Sequence, residues 1–310
     1  METHYPYSRY LLETFGGKTY KIVVSSRLTC PTRDGSLAKA GCAFCDVRGS
    51  SSYFGKQGRG ADVRSQIEKR LPQVRERFGA SRFLAYFQSY TNTYADVEYL
   101  RGLYAEALSV PEIAGLCIGT RPDCLPDEVL DLLEEIARKS YVSLELGVQS
   151  FEDPSLLWLD RGHDAACSID ALKRLRERAP HVHVRVHLMF GQPTDSPAGA
   201  REAARLLNES GARGVKLHQL MVLEHTELAR RFREEPFPTL SIEQYSAIVH
   251  EFLTHLSPSI YVERLCATAS HSDECLAPEW SRERWMPHNE IRKFLEARGC
   301  RQGAALEAGA

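Results

Sequence analysis

The chain has 310 residues, 43% of them hydrophobic and 26% charged, with a net charge of −2 and a pI of about 6.6. These values exclude a largely disordered chain and a surface coated in positive charge for nucleic acid, and they allow a sizeable buried core in one large domain or two smaller ones. No stretch approaches the ~18 apolar residues of a membrane span. The start, Met1-Glu2-Thr3-His4-Tyr5-Pro6, lacks the basic and apolar regions of a signal peptide. A cytoplasmic protein is expected, in which nine cysteines point to metal binding or catalysis rather than to disulfides.

In chain order, Phe15-Gly16-Gly17-Lys18-Thr19 has the look of a phosphate-binding loop. Leu12 stands where the first glycine is required, and a strand follows the motif instead of preceding it, so that reading fails. Seven apolar, β-branched runs at 22–25, 83–87, 114–118, 142–148, 182–190, 215–222 and 260–266 predict strands. Several are too continuous for half-exposed antiparallel strands and read as strands buried on both faces of a parallel sheet. Helices are predicted between them. The clearest follows Pro126: Val129, Leu132, Leu133 and Ile136 fall on one face, and Asp127 and Glu128 put negative charge in the first turn. Others are predicted over 168–178 and 200–208. Strand and helix alternate roughly every 30 to 45 residues, the rhythm of βαβ units, and repeated right-handed crossovers give an open doubly wound sheet or a barrel.

The loop after the first strand, from residue 30 to about 61, is long and rich in glycine, serine and charge, which is uncommon unless a loop is functional. It carries Cys30, Cys42 and Cys45 at the end of a strand where such folds place their active sites. Iron–sulfur clusters are held by thiolates, normally four, so three cysteines leave one iron open to an outside ligand. The competing reading is a structural zinc site, which needs four ligands; the loop holds no obvious fourth Cys or His, although a distant residue could supply one.

The cluster Cys30/Cys42/Cys45, with Phe44 before the last cysteine, resembles that of the radical S-adenosylmethionine (SAM) superfamily. The eleven residues between Cys30 and Cys42 resemble the branch that includes the Elongator catalytic subunit and the YhcC/YtqA-type proteins. Further segments are similar to the YhcC type. They are Phe15-Gly16-Gly17, Tyr86-Phe87-Gln88-Ser89-Tyr90-Thr91-Asn92-Thr93, Gly119-Thr120-Arg121-Pro122-Asp123, Leu144-Glu145-Leu146-Gly147-Val148-Gln149-Ser150, Arg161-Gly162-His163-Asp164 and Lys216-Leu217-His218. The resemblance spans roughly residues 10 to 270 and implies an α/β fold, a partial TIM-like (β/α)6 barrel, with a 4Fe–4S cluster and SAM as cofactors. The expected division is an N-terminal segment 1–20, a barrel domain 21–270 and a C-terminal extension 271–310. The resemblance implies that Cys30, Cys42 and Cys45 ligate the cluster and that Phe44 packs near the adenine. Gln88 and Ser89 then stand where a glycine-rich motif meets the SAM amine, and Thr120, Glu145, Gln149, Arg161 and His187 face the cofactor.

The residues add their own argument. Glu145 and Gln149 lie on one face of a strand, and a buried carboxylate without a partner is costly; a cofactor supplying amine and hydroxyl groups would offset that cost, as would an ordinary ion pair with Arg. His181, His183, Arg185 and His187 alternate with apolar residues, which suits a wet cavity wall or a solvent-facing strand side. Gly191-Gln192-Pro193-Thr194-Asp195 reads as a tight turn at the rim. Cys266, Cys275 and Cys300 match no standard spacing for a second cluster, and buried apolar cysteines are the simpler expectation. Residues 27–82 hold twelve Lys and Arg against five Asp and Glu, an excess that suits an acidic electron donor such as flavodoxin or ferredoxin, or RNA phosphates. Tyr53, Tyr86, Tyr90 and Tyr94 nearby could stack on bases. The expected function is an enzyme that cleaves SAM reductively to act on an unidentified substrate, with tRNA nucleoside modification implied by the Elongator resemblance; the alternative is a zinc-stabilised RNA-binding protein without redox chemistry.

Overall fold

The computed structural model describes residues 2–45 and 62–308. Arg48, Tyr53, Lys56 and Arg59 of the basic stretch lie outside the described residues. A first helix, α1 (Tyr7–Phe15), precedes β1 (Thr19–Val24), α2 (Val63–Phe78), β2 (Arg82–Phe87), α3 (Val97–Leu108), β3 (Ile113–Thr120) and α4 (Asp127–Ala137). The chain continues through β4 (Tyr141–Gln149), α5 (Asp153–Trp158), α6 (Ala165–Arg178), β5 (His183–Phe190), α7 (Pro197–Ser210) and β6 (Gly214–Gln219). It then makes β7 (Val222–Leu223), α8 (Glu227–Glu234), α9 (Ile242–His255), β8 (Tyr261–Val262), β9 (Cys275–Ala277), α10 (Met286–Ala297) and α11 (Ala304–Ala308).

Strands β1 to β6 and then β8 pair in chain order, all parallel, in one curled seven-stranded sheet: an open, partial TIM-like barrel. The helices start on side-chain caps, Asp62, Asp96, Asp164, Ser196 and Ser241, whose oxygens accept from first-turn amides. α4 begins after Pro126 with two acids in its first turn, as its sequence predicts. The helix expected over 168–178 starts at Ala165, because Asp164 supplies the cap, and that expected over 200–208 runs 197–210 between Ser196 and left-handed Gly211. Two apolar runs are not single strands. The run 215–222 leaves the sheet after Gln219, and β7 pairs antiparallel with β9 instead. The run 260–266 contributes only Tyr261 and Val262, since the other edge of β8 is taken by the N-terminal segment, where the Val262 amide donates to Tyr5.

One face of the sheet packs on the helices in the main apolar core, to which Ile291, Leu295 and Cys300 of the C-terminal stretch also belong. The concave face is layered. At the N-terminal ends of the strands, Tyr7 and Leu11 of α1 pack with Leu84, Tyr86, Cys117 and Tyr261 and floor the barrel. Above them lies a buried ionic layer. Arg185, fully buried, lies 2.7 Å from both Glu145 and Glu263; Lys216 lies 2.5 Å from Glu145; and Lys21 on β1 reaches Glu263, just past β8, at 2.7 Å. This last pair joins the two open edges of the barrel. The functional cavity lies above this layer. No described helix is long and apolar enough to cross a membrane.

Arg185→Leu would leave Glu145 and Glu263 buried with fewer cations. It is expected to lower the unfolding free energy by about 3–5 kcal/mol, read as a fall in the urea midpoint at unchanged slope. An unchanged midpoint would show that the ionic layer does not hold the barrel interior.

Candidate active site

At the C-terminal ends of the strands is a cavity of about 330 Å³, within the range of small-ligand sites. Cys30, Cys42, Phe44 and Cys45 line it from the loop after β1, and Gln88, Ser89, Thr120, Glu145, Gln149, Arg161 and His187 line it from later elements. The structure thus brings every residue singled out as a cluster or cofactor contact to one place.

The cysteine loop is held by its own backbone. The Arg33 amide donates to Cys30, Gly41 to Thr32 and Cys45 to Cys42, while Ala43 is tied to Leu159 and Leu228. Gly41 has φ +85°, a backbone conformation that favours glycine, and a Cβ there would press on the Arg33 guanidinium at 3.1 Å. None of the three thiols is in a disulfide among the described residues, and each meets a hydrogen-bond partner. Cys30 Sγ is 3.1 Å from Thr32 Oγ1. Arg161 donates to Cys42 Sγ at 3.3 Å and Arg121 at 3.6 Å, while Arg33 donates to Cys45 Sγ at 3.1 Å. Burial pushes the Cys30 thiol up, but the hydrogen bonds of Thr32 and the charge of Arg121 help bring it below its ordinary pKa. Burial instead raises Cys117, Cys124, Cys167, Cys266, Cys275 and Cys300, as fits inert core thiols. Cys275 and Cys300 also belong to different apolar clusters, which leaves no common site for a second cluster with Cys266.

The polar wall has unsatisfied positions. Ser89 Oγ, Gln149 Oε1, Arg161 Nε and His187 Nε2 are buried without a partner among the described residues. Three residues on the cavity, Ser89, Tyr90 and Gln149, hold left-handed φ angles of 28°, 63° and 71°, strain of the kind that collects at functional sites. Gly147 keeps the floor clear, because a Cβ there would meet Gln149 Nε2 at 2.9 Å and Arg161 Nη2 at 3.0 Å.

Glu145 needs a correction. Its carboxylate is not left for a ligand to satisfy: Lys216, Arg185 and the Tyr86 hydroxyl at 2.9 Å already do so, and burial is overcome by those cations, which hold its pKa well below the usual range. Tyr86 is likewise fixed in the ionic layer and presents no free face to a base; of the other candidate rings, Tyr90 is 40% exposed beside the cavity, with the Arg33 guanidinium 5.6 Å from its centroid. Thr120 bonds Thr93 at 2.5 Å, and Arg161 donates to the Gly147 carbonyl at 2.6 Å. His183 lies at the barrel floor, bonded to Tyr10, and not in the cavity. His187 does line it, and burial together with Lys216 keeps its imidazole well below its usual pKa.

Sequence reasoning missed Arg33, Arg121, Lys216 and Arg264 as wall residues. Lys216 and His218 carry the same signal as Glu145 and Gln149, polar residues at period two in an apolar strand. Arg121 stands beside Thr120 in a motif already noted. Arg33 and Arg264 have no local signal, since only the folded loop brings them here.

The residues fit a 4Fe–4S cluster with SAM. Cys42 and Cys45 are met by arginine donors and Cys30 by the Thr32 hydroxyl, and the wall holds groups, unpaired among the described residues, of the kinds that an amine, a carboxylate and ribose hydroxyls would use. Among the described residues, no three His, Cys, Asp or Glu side chains gather as ligands of a single metal ion, as a tetrahedral zinc site requires; in a cluster each thiolate meets a different iron.

Comparison with known proteins agrees. Residues 38–207 match the radical SAM superfamily model and residues 212–297 the Radical_SAM C-terminal domain. Protein YhcC of Escherichia coli K12 is 35% identical over 297 residues, covering 96% of this chain and 93% of YhcC. A tRNA uridine(34) acetyltransferase of Dehalococcoides mccartyi is 28% identical over 173 residues, covering 53% of this chain and 36% of that one. Among solved structures, the archaeal Elp3 of Methanocaldococcus infernus superposes with a TM-score of 0.70 at 18% identity, over 92% of this chain and 64% of that one. The chain belongs to the radical SAM superfamily. It is an enzyme whose cofactors are a 4Fe–4S cluster and SAM.

Cys42→Ser is expected to abolish iron retention after reconstitution while leaving the circular dichroism of the barrel in place, because the loop lies outside the main core. Global unfolding would contradict this. At the rim turn, Asp195 accepts from the Gly191 and Gln192 amides, yet burial pushes its carboxyl up from 3.8 to about 7. A carboxyl raised in the folded state contributes stability that is complete below its unfolded pKa and lost as pH rises through the folded one. Asp195→Asn should therefore gain stability relative to the wild type between about pH 4 and pH 8. Equal melting-temperature differences at pH 5 and pH 8 would rule out this role.

Proposed function

We propose that the enzyme cleaves SAM reductively at a 4Fe–4S cluster ligated by Cys30, Cys42 and Cys45 and acts on a tRNA nucleoside. The observation that carries the first part is the meeting on one cavity of three hydrogen-bonded thiols, two of them contacted by arginines, and four buried polar atoms without a partner among the described residues. Cys30, Cys42 and Cys45 would hold the cluster, which when bound would supply the electron for reductive cleavage of SAM.

The chain's own residues position and shield. Arg33, Arg121 and Arg161 orient the loop through their hydrogen bonds to Cys45 and Cys42 and place positive charge beside the ligands. Phe44 covers the adenine; Gln88 and Ser89 meet the amine; Gln149 and His187 offer unpaired atoms to the remaining polar groups. Thr120, Glu145 and Arg161 act more indirectly, since each is already bonded within the protein, and frame the cofactor rather than ligate it. Residues 21–270 form the catalytic barrel, flanked by segments 1–20 and 271–310.

The tRNA reading is supported by the similarity to a tRNA uridine(34) acetyltransferase and by exposed Tyr90, a stacking surface beside the cavity. Arg27, Lys39 and Arg64 belong to the basic stretch and suit an acidic electron donor, flavodoxin or ferredoxin, in the cytoplasm.

The test is anaerobic. After reconstitution with iron and sulfide, dithionite and SAM should yield 5′-deoxyadenosine, and Cys30→Ser, Cys42→Ser and Cys45→Ser should each abolish it. One zinc per chain with no retained iron would overturn the proposal in favour of a zinc-stabilised RNA-binding protein. Production stimulated by unmodified tRNA but not by tRNA from a strain with the enzyme would support the substrate; indifference to both would remove tRNA.

A further inference from the structure

The framing of cluster and SAM leaves part of the cavity wall without a task. Lys216 on β6 and Arg264, just past β8, both line the cavity. Lys216 is almost fully buried; its ammonium bonds Glu145 at 2.5 Å and the Tyr86 hydroxyl at 3.4 Å. Of its three N–H donors, one remains. Arg264 is half-buried, and its Nε donates to the Leu217 carbonyl at 3.1 Å; among the described residues its guanidinium has no carboxylate partner. That leaves it four of five donors. Its charge also bears on its neighbours: burial first, and then Arg264 among the nearby charges, lowers Lys216.

The charges here do not cancel. Lys21, Arg185, Lys216 and Arg264 are four cations; Glu145, Glu263 and Glu274, which also lines the cavity, are three carboxylates. Among these described residues the cations outnumber the carboxylates by one, and an anion in the cavity would offset that excess. A planar guanidinium beside an ammonium is suited to a carboxylate or phosphate, whose oxygens accept from both.

We propose that Lys216 and Arg264 form a subsite for an oxyanionic group, a carboxylate or a phosphate, carried by the substrate. This rests on the reading of the cavity as the SAM-dependent active site. The same chemistry could come from the carboxylate of SAM itself, and the experiment separates the two sources.

Arg264 is the residue to change, since Lys216 is bound into the ionic layer. Reconstituted, anaerobic enzyme is titrated with inorganic phosphate, and thermal unfolding is followed with and without saturating SAM, for wild type, Arg264→Gln and Arg264→Lys. Phosphate should raise the unfolding temperature of the wild type. The apparent affinity should fall at least about tenfold in Arg264→Gln and recover in part in Arg264→Lys. Saturating SAM should leave the phosphate effect in place. No phosphate effect on the wild type, or an equal one in Arg264→Gln, would overturn the subsite. Loss of the effect in the presence of SAM would assign the position to SAM and overturn the substrate assignment. 5′-Deoxyadenosine formation in the same preparation reports separately on the underlying reading, so a silent titration with active SAM cleavage sinks the subsite alone.

Discussion

The concave face of the sheet depends on a buried charge balance. Glu145 and Glu263 sit inside a barrel where an unpaired carboxylate would be very costly, and Arg185, Lys216 and Lys21 offset that cost from three different strands. Because Lys21 is on the first strand and Glu263 follows the last, the same balance draws the open edges toward each other. It also separates an aromatic floor, built on α1, from a polar cavity above. The N-terminal segment is therefore part of the barrel's construction: it closes the end of the sheet that the site does not use.

Above that layer, the cysteine loop is contacted by one arginine of its own and by two from other points in the chain. Arg33 comes from the loop, Arg121 from the end of β3 and Arg161 from the turn after α5. Three thiolates near one another repel, and the arginine donors at Cys42 and Cys45, with the Thr32 hydroxyl at Cys30, lower that repulsion. The bidentate pair between Arg121 and Asp123, at 2.8 and 2.7 Å, keeps that guanidinium pointed at Cys42. The strained backbone at Ser89, Tyr90 and Gln149 belongs to the same picture, since strain persists where surrounding contacts over-determine the geometry.

The cavity then has two chemical sides. Soft sulfur donors come from the loop after β1, and hard cationic donors come from β6 and the segment after β8. A radical enzyme needs its cofactor and its substrate held in a fixed relation, because a misplaced reactive group takes hydrogen from the wrong atom. A charged anchor on rigid strand ends provides such a relation more firmly than an exposed loop does.

The sequence by itself determined the alternating strand and helix plan, the parallel sheet, the cysteine loop at the active end and the set of polar residues facing inward. Each of these is written locally, in hydrophobic period, capping residues and motif spacing. It misjudged the run 260–266, because whether an apolar run makes a strand depends on which edge is free, and β8 has one edge taken by Tyr5 and Pro6. It placed Glu145 correctly but not its partners: Arg185 was visible as a possible ion pair, while Lys216 lies on a different strand. Only the tertiary structure decided which charges meet, which thiols burial raises, and that Arg264 faces the cavity without a carboxylate partner among the described residues. The physical reason is that ion pairing and burial depend on distances between residues far apart in the chain, and the local pattern carries no record of those distances.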